Sequence, residues 1–156
     1  MFCMFLIKVC DALEENGVNY AIAGGYAVAL HGAVRGTIDI DLVIPLEVEQ
    51  YAKTEKALLG LGLVARHGLS SEEVFDQRVS LMKDKNLVAW SFYNVKRPVE
   101  IVDIIITHDL LKFTSEQVRI GRKMVNMLDI PSLIEMKSKS GRVQDNLDIE
   151  ALEKLK

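Results

Sequence analysis

The chain has little that would staple or anchor it. It holds two cysteines, Cys3 and Cys10, with no C-x-x-C pair, and only three prolines. That excludes a disulfide framework and a collagen-like chain. The cysteines share one helical face, and two buried, reduced thiols are expected. No apolar run reaches the roughly 18 residues of a membrane span. The opening stretch Met1–Ile7 lacks the basic residue that precedes the apolar part of a signal peptide. A cytoplasmic protein with no membrane partner is therefore expected. His31, His67 and His108 are scattered without ligand spacing, which argues against a histidine metal centre. Positive charge is not in excess either. Nineteen Lys and Arg against 22 Asp and Glu give a net charge of −3, unlike a nucleic-acid coat or a polybasic membrane binder, although a local basic patch stays open.

What is present suits one folded domain over residues 1–156. Hydrophobic residues make up 49% and charged residues 26% of the chain, a globular balance. A chain of this length buries about 68–70% of its unfolded surface, enough for a core. Apolar periodicity predicts a helix over 2–16, closed near Gly17, and a helix over 47–60. Tyr20–Ala23 reads as a strand ending at Gly24-Gly25, and 26–32 as a short helix. Strands are expected over 37–44, 78–83, 87–93 and 99–106, with a turn at Lys83–Asn86 between two of them. A short helix is expected over 110–116 and a hairpin around Gly121 within 119–128. Helices over 132–140 and 145–155, broken at Gly141, close the chain. This mixture predicts an α+β fold, a central mixed sheet flanked by helices.

The segment Ile38-Asp39-Ile40-Asp41-Leu42-Val43-Ile44 puts acids inside an apolar strand. Alternation places Asp39 and Asp41 on one face and Ile38, Ile40 and Leu42 on the other. The two acids lie about 6.6 Å apart along the strand. Two like charges there are costly unless something positive compensates, and the run itself holds no Lys or Arg. A divalent cation with hard oxygen ligands, Mg²⁺ or Mn²⁺, answers that need. Asp103 repeats the pattern inside Val99–Ile106. If the two strands are neighbours, three carboxylates meet, as in two-metal phosphoryl-transfer sites. Gly24-Gly25, between a strand and a helix, would let backbone N–H groups approach a phosphate.

Gly24-Gly25, then Arg35-Gly36-Thr37-Ile38-Asp39-Ile40-Asp41, then Asp103 resembles the polymerase-beta-type nucleotidyltransferase superfamily. The likeness is to its small bacterial members, the minimal nucleotidyltransferases and AbiEii-type toxins. The stretch Leu133–Ile149 resembles their closing Lys…Arg…Asp-x-x-Asp helices. The second glycine departs from the serine of many relatives, so backbone N–H groups would replace a hydroxyl contact. The resemblance implies the nucleotidyltransferase fold and transfer of a nucleoside monophosphate from a nucleoside triphosphate to an acceptor hydroxyl, with release of pyrophosphate. It implies Asp39, Asp41 and Asp103 as catalytic metal ligands, and Gly24, Gly25, Arg35, Thr37 and Lys137 at the nucleotide. The acceptor stays open among RNA such as tRNA, a protein and a small molecule, with a toxin–antitoxin partner as a further implication. Two rivals are an aminoglycoside-type adenylyltransferase and a non-catalytic nucleotide- or partner-binding module.

Other residues carry two readings. Lys137, at the edge of an apolar helix face, either snorkels or reaches a phosphate. Arg35 is a phosphate ligand or a solvated loop residue. Asp145 and Asp148 are expected to cap their helix and pair with Arg142. Trp90, Phe92 and Tyr93 are expected in the core or on a sheet face. Lys112, Arg119, Arg122 and Lys123 line an acceptor groove or, the reading favoured, form a solvated face. Residues 47–97 carry no recognised motif.

Overall fold

The computed structural model describes residues 2–156, with side chains described from Met4 onward. Cys3, one of the two expected buried thiols, lies outside the described side chains. Cys10 is free and buried, and burial raises its thiol to about 11.

Seven strands form one mixed sheet in the order β3-β4-β5-β2-β1-β7-β6. They are β1 (Ala21–Ala23), β2 (Ile40–Val43), β3 (Leu63–Ala65), β4 (Ala89–Asn94), β5 (Ile101–Ile105), β6 (Ser115–Ile120) and β7 (Lys123–Leu128). The pairs β2–β5 and β1–β7 are parallel and the remaining neighbours antiparallel. Among the described residues six helices accompany the sheet: α1 (Phe2–Glu15), α2 (Gly24–Leu30), α3 (Val48–Gly60), α4 (Ser71–Lys85), α5 (Ile130–Ser138) and α6 (Val143–Glu153). The helices α1, α3 and α4 pack in series, while α2, α5 and α6 touch one another. The expected mixed sheet with closing C-terminal helices is the one observed.

The central strands bury one face completely. Ile22, Ile40, Leu42, Val102 and Ile104, which the register puts on that face, are all fully buried, whereas Asp41 and Asp103 lie on the other face and line a cleft. Trp90 and Phe92 lie in the core as expected. Trp90 stacks on Tyr51 at 5.8 Å between ring centroids and donates its indole N–H to the Leu69 carbonyl at 3.1 Å. That bond satisfies the one polar group such a ring buries.

Three expectations are corrected. Residues 78–83 are not a strand but the middle of α4. Val79 and Leu81 alternate over that short window. A capping box, in which Ser70 accepts from the Glu73 N–H and Glu73 from the Ser70 N–H, instead starts a helix that buries Val74 and Leu81, seven apart. The polar stretch at 83–86 is therefore the end of α4, terminated by left-handed Asn86 at φ 51°. The helix expected over 110–116 is a single 3-10 turn, Leu110–Lys112. The chain is extended again from Ser115, where it pairs with β7 around Gly121 at φ +61°. Finally, β2 begins at Ile40, so Ile38 is half exposed rather than packed beside Ile40 and Leu42.

Candidate active site

The register places the acids. On parallel neighbours β2 and β5, Asp41 is paired with Asp103. Directly opposed residues of adjacent strands project to the same face, so the two carboxylates stand side by side. Asp39, one step before β2, lines the same cleft of about 1440 Å³. On the other side of β5, Ser91 of β4 is paired with Asp103, and its hydroxyl donates to Asp103 Oδ1 at 2.6 Å. Sequence reading missed Ser91. The sequence shows only a serine inside the apolar strand Ala89–Asn94; its register with the distal acid emerges in the fold.

The glycine turn lies against the same acids. Ala23 pairs with Asp41 across β1 and β2, so Gly24 begins α2 next to that carboxylate. Gly24 has φ +60°, and a Cβ there would lie 1.9 Å from Asp41 Oδ2. A Cβ at Gly25 would lie 2.9 Å from both Cβ and Oγ1 of Thr37 and 3.2 Å from Cζ of Arg35. Both glycines are thus demanded by the acid strand and the loop before it, as well as lining the cleft.

The electrostatics are those of crowded acids. Burial first, then the charges of Asp103 and Asp39, push Asp41 up to about 7, against opposing pulls from Lys137 and Arg142. Asp103 is also raised, by burial and by Asp39, while the Ser91 hydrogen bond and Arg66 work the other way. The two raised acids, with the Asp39 carboxylate beside them, offer the oxygen donors that a hard divalent cation takes. Among the described residues no three Asp, Glu, His or Cys side chains already surround one point as ligands.

The opposite wall is built by α5 and α6. Lys137 is buried, with Nζ 2.9 Å from Asp148 Oδ2 and 3.6 Å from Asp145 Oδ1. It neither snorkels to solvent nor stands free. It lines the cleft with its charge already paired. Arg35 is no solvated loop residue, since its Nε lies 3.0 Å from Asp148 Oδ1. Arg142 Nε lies 2.8 Å from Asp145 Oδ2, the one pairing expected for this motif. Burial acts to raise Asp145 and Asp148, but hydrogen bonds from Arg142 and Ser140, and from Lys137 and Gln144, hold both below the ordinary carboxylate value. Neither Asp caps α6, whose N-cap residue Arg142 has no side-chain cap bond. Of the basic residues read as a solvated face, Lys112 lines the cleft, whereas Lys123 pairs with Asp11 and Glu14 on α1.

Residues 3–156 match the family described as nucleotidyl transferase of unknown function (DUF2204). No curated protein matches the sequence. Among solved structures, the lincomycin-bound lincosamide antibiotic adenylyltransferase LnuA is similar with a TM-score of 0.64 at 15% identity, over 98% of this chain and 97% of that one. The antibiotic-resistance factor ANT(2")-Ia, solved in complex with adenylyl-2"-tobramycin, is similar with a TM-score of 0.63 at 14% identity, over 98% of this chain and 91% of that one. An antigenic nucleotidyltransferase-like protein from Paracoccidioides brasiliensis gives 0.58 at 18% identity, over 97% of this chain and 74% of that one. At these identities the likeness establishes the fold.

Proposed function

Because the chain belongs to this nucleotidyl transferase family, we propose that it moves a nucleoside monophosphate from a nucleoside triphosphate to an acceptor hydroxyl, acting as one domain. The observation that carries this reading is the in-register pair Asp41 and Asp103, with Asp39 and the Gly24-Gly25 turn beside it in one cleft. Asp39, Asp41 and Asp103 would hold Mg²⁺ or Mn²⁺, which when bound neutralises phosphate charge and lowers the pKa of the attacking hydroxyl. The glycine turn leaves backbone N–H groups beside the acids for phosphate oxygens. Thr37 and Arg35 close the turn from the loop side, and Lys137 and Arg142 bring positive charge from the opposite wall. Asp103, its pKa raised, would accept the acceptor's proton. These groups position the reactants and meet developing charge, the main protein contribution to phosphoryl transfer.

The cleft favours a phosphate-bearing hydroxyl, such as an RNA end, over a polycation as acceptor. Arg78, Lys112 and Lys139 line it with Glu135 and Asp109, and Arg78 also donates to the Ile106 carbonyl. Asp109 is occupied, accepting from the N–H groups of Leu46 at 3.2 Å and Leu111 at 3.1 Å. A small neutral acceptor is the second reading, favoured by the likeness in fold to a lincosamide adenylyltransferase. The test is to incubate the protein with each α-labelled nucleoside triphosphate, Mg²⁺ and cell extract. Label entering RNA supports the first reading and label on a small molecule the second. No transfer to any fraction, with no pyrophosphate released, refutes both.

A further inference from the structure

Where α5 and α6 meet the loop before β2, five charged side chains gather in one small volume, and fold stability alone is a weak reason for burying them. Asp145 and Asp148 are each 2% exposed and Lys137 is 8% exposed. Buried ion pairs give back in attraction about what desolvation costs, and apolar replacements often stabilise more. The arrangement is nonetheless fully satisfied. Asp148 accepts from Lys137 Nζ at 2.9 Å, from Arg35 Nε at 3.0 Å and from Gln144 Nε2 at 3.0 Å. Asp145 accepts from Arg142 Nε at 2.8 Å and from Ser140.

Resting on the transferase reading above, we propose that Asp148 is a positioning residue that pre-sets Lys137 and Arg35 as a pair of cations for the triphosphate, with Asp145 doing the same for Arg142. Lys137, Arg35, Arg142 and Asp145 line the cleft, whereas Asp148 is not part of its wall. Asp148 therefore acts through the cations it holds rather than on the ligand. Three cations against two anions leave one positive charge in excess beside the cleft. Long basic side chains lose much rotamer freedom when they engage a ligand, and fixing them beforehand removes that cost from binding. The Arg35 contact also ties the segment that leads through Thr37 to Asp39 onto α6, which comes more than a hundred residues later in the chain.

The test is calorimetric binding of the four nucleoside triphosphates with Mg²⁺ to the full chain. Wild type is compared with Asp148→Asn, Lys137→Met, the double variant and Asp148→Glu. Asp148→Asn should weaken binding of the preferred triphosphate about tenfold, a change of ~1.4 kcal/mol. It should add little on top of Lys137→Met, because the two act as one unit. Asp148→Glu should recover part of the loss, which a bare packing role does not predict. If Asp148→Asn does not fold, Arg35→Met and the double variant, which leave fewer orphaned charges, take its place with the same expected loss. Unchanged affinity, or full additivity with Lys137→Met, overturns the proposal while leaving the transferase reading standing. Failure of wild type to bind any of the four overturns both.

Discussion

Replacing Gly24 by alanine tests the link between the turn and the acids. Gly24 has φ +60°, and an added Cβ would meet Asp41 at 1.9 Å from Oδ2, 2.7 Å from Cγ and 2.9 Å from Cβ. Rotation of the carboxylate clears the first contact. It cannot clear the third, because Asp41 Cβ is fixed by β2, which is paired to Ala23 on β1. The positive φ costs about 1–2 kcal/mol for any residue with a side chain, and the overlap a further ~1–3 kcal/mol. Gly62 supplies the control. It has φ +85° with nothing within 4 Å of an added Cβ, so Gly62→Ala bears only the backbone cost. The excess loss in Gly24→Ala should lower the melting temperature by roughly 2–12 °C beyond the control. Thermal melts followed by circular dichroism measure this, and nucleotide transfer should fall in Gly24→Ala alone. Equal melting temperatures with transfer intact in both would refute the packing of the turn against Asp41.

Other outcomes follow from the same geometry. Asp41 has a folded pKa raised from 3.8 to about 7, so the fold keeps its full stability from this group below 3.8 and loses it progressively as pH rises to about 7. Asp41→Asn should therefore melt above wild type at pH 8 and close to it at pH 4, while losing transfer; melting scans at both pH values check the sign. Ser91→Ala removes the 2.6 Å bond to Asp103. Hydrogen bonds to charged groups contribute about 1.5–3 kcal/mol, so cation affinity should fall about tenfold or more by Mn²⁺ titration, with the fold retained. Asp145 and Asp148, held below 3.8 in the folded state, stabilise α5–α6 at all pH values above 3.8 and release that contribution as pH falls below it. Amide exchange over residues 143–153 should be unchanged between pH 7 and 5, after correction for intrinsic rates, and rise relative to β2 at pH 3.

Much of the site can be read from the sequence because its demands are local. Acids inside apolar strands announce themselves at Asp39, Asp41 and Asp103, and two glycines after a strand mark a close approach. The register that sets Asp41 beside Asp103 is a long-range pairing, visible in sequence only as a condition. The reason for Gly24 was legible only in part. It serves Asp41 as well as any phosphate, and that depends on β1 and β2 being neighbours. Ser91 escaped because one hydroxyl in a strand carries no pattern until its partner strand is known. Residues 78–83 misled because alternation over six residues outweighed the capping box upstream. Lys137 and Asp148 have helical spacings that could not show that α5 and α6 fold back to bury both.

The proposed transfer requires one cation-and-triphosphate site shared by residues 39, 41 and 103. Electron spin resonance of free Mn²⁺, titrated with protein and the preferred nucleoside triphosphate, measures it most directly. Wild type should take up Mn²⁺ in the presence of nucleotide, and Asp41→Asn and Asp103→Asn, shown to be folded, should not. Equal uptake by wild type and both variants would contradict the account.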